Sequence, residues 1–372
     1  MTVPATCRAA VLVERGAPMQ ILDVQVPRTI ERHAVLVRNR AATICATDVH
    51  LAAGGIASRD AAADLPVILG HEMVGEIVQM NGNEHDSLGT PLAEGDRIVW
   101  THGFCGQCPE CVVEHMPTLC QHRRGYMSAR PTEYPFLNGG FAEYGYVFPT
   151  SGRIRVPDRI PDAVAAASSC ALRTMVHAFD RLGALQERHT VVIQGAGPLG
   201  LFATAKAVTA GPERVIVIGG PADRLALARS WGAAAVIDME ADRDPRARLE
   251  RVLDLTGGRG ADVVIEVSGV AGAFTEGIAM LRRGGRYLIV GQIHDTDVAF
   301  NPSQIVMKQA TLVGSLSGAV DHYARALRFL DNTVDRFDWT RMITSEQPLE
   351  QIDDALERMR TYRDIKPALV FA

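Results

Sequence analysis

Four of the seven cysteines crowd into sixteen consecutive positions, as Cys105, Cys108, Cys111 and Cys120. Thiolates at steps of three, on a segment broken by Gly106 and Pro109, can converge on one tetrahedral ion. Four thiolates leave no open position, so such an ion would hold structure rather than react. Paired disulfides are the competing reading. The N-terminal stretch MTVPATCRAAVLVERGAP carries no apolar core of signal-peptide length, so the expected setting is the cytoplasm, where thiols stay reduced. A nucleic-acid zinc module is disfavoured by Glu110 and Glu114 and by the lack of interleaved aromatic and basic residues.

A second set of residues suits a dinucleotide. Gly195-Ala196-Gly197-Pro198-Leu199-Gly200 follows the apolar run VVIQ and opens the helical stretch FATAKAV. Gly195 would make the tight turn, Gly197 would let backbone approach a pyrophosphate, and Gly200 would let helix pack on strand. Pro198 suits a helix start, and the phosphates would lie at that helix N-terminus. An acid at the end of the next strand would bind ribose hydroxyls and favour NAD; Gly219 stands there instead. Arg224 is the nearest cation, able to meet a 2′-phosphate or only a ribose, so NAD and NADP both stay open. Val290 and Gly291, closing the run RYLIVG, are counted with the cofactor set.

These residues need elements to position them. With 372 residues, the chain is long for one core and predicts two domains. Up to about Pro161, short apolar runs such as CRAAVLV, HAVLVRNRAA, HEMVGEIVQM and GDRIVWT lie between turn signals, which predicts a β-rich domain with long loops. Beyond it, strand-like runs alternate with helical stretches (HTVVIQG, RVIVIGG, AAAVID, ADVVIEVSG, RYLIVGQ, TLVGSLSG). That alternation predicts about six strands in a doubly wound parallel sheet. A net charge of −5 offers no excess cation for nucleic acid or anionic lipid, and no apolar run reaches membrane-spanning length.

The segments TICATDVH around Cys45 and LGHEMVGEI around His71, followed by the cysteine lobe, Cys170 in SSCALRT and the glycine fingerprint, occur in the order found in zinc-containing medium-chain alcohol dehydrogenases. The chain resembles that family over essentially its whole length. The resemblance implies a GroES-like, β-rich catalytic domain at 1–172 and 311–372, with a Rossmann dinucleotide domain at 173–310 between them. It implies a catalytic zinc on Cys45, His71 and Cys170, with a fourth position for water or substrate, and a structural zinc on the cysteine lobe. Glu72 is similar to a family glutamate that lies behind the zinc and can enter its shell. Asp48 is similar to the carboxylate that orients the ligating histidine. Thr47 would accept the alcohol proton and His50 would pass it to solvent through the cofactor ribose, as hydride moves to the nicotinamide. Lys366 is taken as a charge for the pyrophosphate, since Ala46 stands where some relatives carry a basic residue. Eight residues separate Cys111 from Cys120, one more than the family pattern.

The function this implies is a zinc-dependent, NAD(P)-linked oxidoreductase for a small alcohol or carbonyl. Trp100, Thr101, Pro135, Phe136 and residues near Ile56 are candidate pocket residues, and their mix of polar and bulky groups suggests a secondary or cyclic alcohol, such as a polyol or cyclitol. The alternatives are a zinc-independent enone or quinone reductase of the same superfamily, or a non-enzymatic nucleotide-binding protein on this scaffold. No nucleic-acid or membrane partner is expected, and the family resemblance suggests a homodimer or homotetramer.

Overall fold

The computed structural model describes residues 3–54, 65–82, 84–292 and 296–371. It divides into one unit of Met1–Arg173 with Gly318–Ala372, and a second of Thr174–Ser317. Ile56 lies outside the described residues. Among the described residues no helix is long and apolar enough to cross a membrane.

The first unit is β-rich. Strands β1 (Thr6–Leu12), β2 (Gln20–Gln25), β3 (Val35–Thr43), β4 (Val67–Ile68), β5 (Met73–Met80), β6 (Arg97–Gly103), β7 (Tyr144–Val147) and β8 (Ser151–Arg155) form two sheets. The smaller runs β2-β1-β4. In the larger, β5 lies between β3 and β6, β8 pairs with β6, and β7 pairs with β3. The C-terminal strand Lys366–Val370 returns antiparallel to β3, with Ala368 opposite Thr43. Apolar side chains from both sheets, among them Leu12, Leu36, Ile68, Phe141 and Tyr146, fill one core. Burial of this apolar area is the main force holding the unit together.

The second unit is a parallel sheet. Strands β9 (Thr190–Gln194), β10 (Arg214–Gly219), β11 (Ala235–Asp238), β12 (Ala261–Glu266), β13 (Leu281–Ile289) and β14 (Thr311–Gly314) stand in the order β11-β10-β9-β12-β13-β14. All the pairings are parallel. Strand β9 is buried along its whole length, which explains its unbroken apolar run. The order reverses between β9 and β12, the place where an open parallel sheet makes a ligand crevice at its carboxyl ends. One expected boundary changes. The stretch 311–314 was assigned to the catalytic domain, but it pairs with β13 (Val313 opposite Leu288) and belongs to the sheet. The run TLVGSLSG reads as a strand of this sheet in the sequence, so the limit at 310 falls one strand too early.

The fingerprint turn joins β9 to the helix Pro198–Ala210. Gly195 has φ of 123°. A Cβ on Gly200 would stand 1.9 Å from the Gly195 carbonyl oxygen. Close helix-on-strand packing therefore demands glycine at 200. Gly200→Ala is expected to lower stability by about 1–3 kcal/mol in urea unfolding. An unchanged midpoint would show that the turn can open without cost.

Candidate active site and metal centres

The segment after β3 and the segment before β5 bring Cys45 and His71 to the same place, and Cys170 arrives from a π-helical turn at Ser168–Leu172. Single wide turns of this kind recur at functional sites. Ligand atoms of Cys45, His71, Glu72 and Cys170 all lie within 4.8 Å of one another. Thr47 sits beside them, its Oγ1 3.7 Å from the Cys45 sulfur. His50 lies one helical turn further on, exposed.

A buried carboxylate ties the ligand segments together. Asp48 is fully buried, in the first turn of the helix Ala46–Ala53. Its Oδ2 accepts from the Cys45 N–H at 2.9 Å, and its Oδ1 accepts from the Gly70 N–H at 3.1 Å. The same Oδ1 lies 3.4 Å from His71 Nδ1. Gly70 has φ of 91°, and a Cβ there would strike the Phe141 ring at 2.6 Å. Ligand placement thus rests on a carboxylate and a glycine just outside the ligand set.

Glu72 is wholly buried behind the thiols. Its Oε2 accepts from Thr43 Oγ1 and pairs with Lys366 Nζ, each at 2.5 Å. Its Oε1 has no hydrogen-bond partner. That orphaned oxygen beside two sulfurs and an imidazole suits a cation at the centre of the set. Burial pushes the Glu72 carboxyl up to about 7, against the pull of Lys366. Burial works downward on Lys366, but Glu72 and the thiols hold it above the usual lysine value. Lys366 was expected at the cofactor pyrophosphate; instead it is a buried counter-ion to Glu72, carried there by the pairing of its strand with β3.

The bare side chains hold their protons unevenly. Contact with Cys170, then burial, pushes the Cys45 thiol up to about 11. The same contact holds Cys170 below the ordinary thiol value, with Arg173 also favouring the thiolate. Burial disfavours the His71 imidazolium, but Asp48 and Cys45 outweigh it and hold the ring well above the usual value. A cation entering here would displace these protons. Arg173 escaped the sequence reading, although it follows Cys170 by one helical turn. It is buried, with Nε donating to the Ser169 carbonyl at 2.9 Å.

Cys105, Cys108, Cys111 and Cys120 also gather within 4.8 Å. Zinc–sulfur bonds near 2.3 Å place tetrahedral sulfurs about 3.8 Å apart, so four thiolates at this spacing suit zinc. A short helix at Pro109–Val112 and a tight turn at Pro117–Leu119 take up the long interval before Cys120. The Cys105 sulfur accepts from the Cys108 N–H, and the Cys120 sulfur accepts from the Cys105 N–H, both at 3.3 Å. The seven cysteines are unbridged.

In the second unit, Gly197 caps the helix Pro198–Ala210, where first-turn N–H groups lack helical partners. A Cβ on Gly197 would meet nothing nearer than Arg224 Nη1 at 4.0 Å, so the backbone face is open to a phosphate. A Cβ on Gly219 would stand 2.7 Å from Ala196 Cβ, so an aspartate there would push strand and turn apart. Asp238, opposite Gly219 on the neighbouring strand, brings a carboxylate near Gly220 instead. Glu266, also unassigned from sequence, is buried and shapes the facing edge. It accepts from Ser268 N and Oγ, Gly269 N and Gly291 N at 2.7–3.1 Å. Val290 N–H donates to the Glu266 carbonyl at 3.0 Å.

Of the pocket candidates, Trp100 and Thr101 are buried, and the Thr101 hydroxyl is already engaged by the His102 carbonyl and the Gly152 N–H. Phe136 packs edge-on against Tyr134. Removing one partner of the buried Glu72–Lys366 pair leaves a charge uncompensated. Lys366→Met should destabilise the metal-loaded protein by about 3–5 kcal/mol in urea unfolding. Adding Glu72→Gln should restore part of that loss; a double variant as unstable as the sum of the singles would deny the pair.

Two family models match the chain. One, described as alcohol dehydrogenase GroES-like domain, covers residues 31–158; the other, zinc-binding dehydrogenase, covers residues 198–332. The chain is 31% identical to 5-exo-hydroxycamphor dehydrogenase of Pseudomonas putida, over 97% of its own length and 98% of the relative's. It is 29% identical to a sorbitol dehydrogenase of Halalkalibacterium halodurans, again over 97% and 98%. The crystal structure of an alcohol dehydrogenase from Thermotoga maritima superposes with a TM-score of 0.91 at 34% identity, covering 99% of this chain and all of that one. Matched end to end and in both units, the chain belongs to the zinc-type medium-chain alcohol dehydrogenase family, whose members are oxidoreductases acting on small molecules.

Proposed function

We propose that this chain is a zinc-dependent, NAD(P)-linked dehydrogenase of a secondary or cyclic alcohol. The observation that carries the reading is the convergence of Cys45, His71 and Cys170, with Glu72 behind them and Thr47 beside them. Two sulfurs and one imidazole would hold zinc and leave a position open. When bound, the zinc supplies the Lewis acidity that eases loss of an alcohol proton, and the nicotinamide supplies the hydride acceptor.

The chain's own residues do the rest. Asp48 fixes the His71 ring from its Nδ1 side and leaves Nε2 as the ligand atom. Thr47 Oγ1 receives the proton leaving the substrate hydroxyl. His50, exposed on the next turn, delivers it to solvent. Gly195, Gly197, Pro198, Leu199 and Gly200 cradle the pyrophosphate, while Val290 and Gly291, braced by Glu266, form the facing wall. The cysteine lobe takes a second, structural zinc. Arg224 beside Gly197 favours a 2′-phosphate, and Asp238 near Gly220 favours free ribose hydroxyls, so the reading covers both NADP and NAD.

Relatives named for hydroxycamphor and sorbitol support a secondary alcohol as substrate. The two-domain division with 311–314 moved to the dinucleotide domain, a cytoplasmic setting suited to unbridged thiols, and assembly as a homodimer or homotetramer belong to the same reading. The test is nicotinamide absorbance against primary, secondary and cyclic alcohols, each with NAD and NADP. Turnover led by secondary or cyclic alcohols is expected, with Thr47→Ala lowering kcat about 100-fold at unchanged zinc content. A preference for short primary alcohols, or full activity in the variant, would contradict the reading.

A further inference from the structure

In a dinucleotide crevice the adenosine ribose lies at the carboxyl end of the strand after the glycine turn, where an acid on that strand receives its hydroxyls. Here that strand is β10, and it ends in Gly219. Sterics exclude an acid at this position. A Cβ on Gly219 would stand 2.7 Å from Ala196 Cβ and 2.8 Å from the Ala196 nitrogen. Ala196 belongs to the fingerprint turn itself, so neither side can yield without moving the pyrophosphate cradle.

An acid stands one strand over. Asp238 closes β11 and pairs with Gly219 in parallel register. Neighbouring strands lie about 4.8 Å apart, so a side chain from 238 reaches the position that an acid at 219 would serve. Asp238 Oδ1 is the nearest atom that a Cβ on Gly220 would meet, at 4.0 Å. The carboxylate therefore leans across the end of β10 rather than away from it.

Two hydrogen bonds hold it there. Met239 N–H donates to the Gly219 carbonyl at 2.9 Å and ties the chain after β11 to the end of β10. Glu240 N–H donates to Asp238 Oδ1 at 2.9 Å and sets the side chain. Asp238 is half-buried, and among the described residues its Oδ2 takes no hydrogen bond.

Arg224 pulls the choice of cofactor the other way, but it is less well placed. It is only 3% exposed, with Nη1 toward Gly197. Gly197 belongs to the pyrophosphate turn, so this charge serves the bridging phosphates that NAD and NADP share. Two arginines beyond β11 are drawn elsewhere, Arg248 onto Glu276 at 2.7 Å and Arg251 onto Asp242 at 3.4 Å. A 2′-phosphate at the end of β10 would face the like charge of Asp238. Free ribose hydroxyls would find in it an ionised acceptor.

We propose that Asp238 takes over the role of the acid missing from 219: its carboxylate accepts from the adenosine ribose hydroxyls and selects NAD over NADP. This rests on the reading of the second unit as a dinucleotide site and names which dinucleotide it takes.

The test titrates ADP-ribose and 2′-phospho-ADP-ribose calorimetrically into the zinc-loaded full chain. Both lack nicotinamide, so the readout is independent of alcohol turnover. The parent should bind ADP-ribose about tenfold more tightly or better. Asp238→Asn keeps an acceptor for Glu240 N–H and removes the charge. It should weaken ADP-ribose, strengthen the 2′-phosphorylated form and cut the ratio of the two affinities about tenfold. A purely structural role would weaken both ligands alike and leave the ratio unmoved, which overturns the proposal. So does a parent that binds the 2′-phosphorylated form equally or better; in that case the dinucleotide site stands and only the role of Asp238 falls. If neither ligand binds the parent, the dinucleotide reading falls with it.

Discussion

The site depends on one buried carboxylate. Asp48 takes the N–H of Cys45 on one oxygen and that of Gly70 on the other, and faces the His71 ring. Two segments from different strands are thereby pinned to a common point, and the ligands they carry come within bonding reach of one ion. An ionised carboxylate in this position would be costly alone. Two backbone N–H groups satisfy it, and the His71 ring, whose Nδ1 makes no hydrogen bond, lies 3.4 Å from the same carboxylate.

The charges around it follow the same logic. Glu72, Lys366 and Arg173 are each almost inaccessible to water. None would be stable there singly, and each is matched: Glu72 by Lys366 and Thr43, Arg173 by backbone carbonyls and the thiol of Cys170. Contact between the two thiols, helped by Arg173, makes Cys170 give up its proton more readily than Cys45. The second unit solves a similar problem with Glu266, whose carboxylate gathers N–H groups at the carboxyl end of the sheet and sets the turn at Gly291. In both units a buried anion shapes backbone that has no regular partner.

Local spacing made part of this legible in the sequence. The steps of three in the cysteine lobe and the glycines between β9 and its helix are short-range patterns tied directly to geometry. What escaped depends on contacts between distant segments. Lys366 reaches Glu72 only because Ala368 pairs with Thr43 across the larger sheet. Glu266 lies inside an ordinary-looking apolar strand, and only the fold shows the amides converging on it. β14 reads as a strand of the parallel sheet, yet the domain limit at 310 cuts it off, since only its pairing with β13 shows which unit holds it. Gly219 read as a missing acid; its packing on Ala196 gives that absence a steric reason.

Cys45, His71 and Cys170 should hold a metal ion of their own, apart from the cysteine lobe. Diffraction data collected on either side of the zinc absorption edge, from crystals of zinc-loaded protein, decide this. Two anomalous peaks per chain are expected, one among Cys105, Cys108, Cys111 and Cys120 and one among Cys45, His71 and Cys170. A single peak at the cysteine lobe, with none beside Glu72, would overturn the catalytic site.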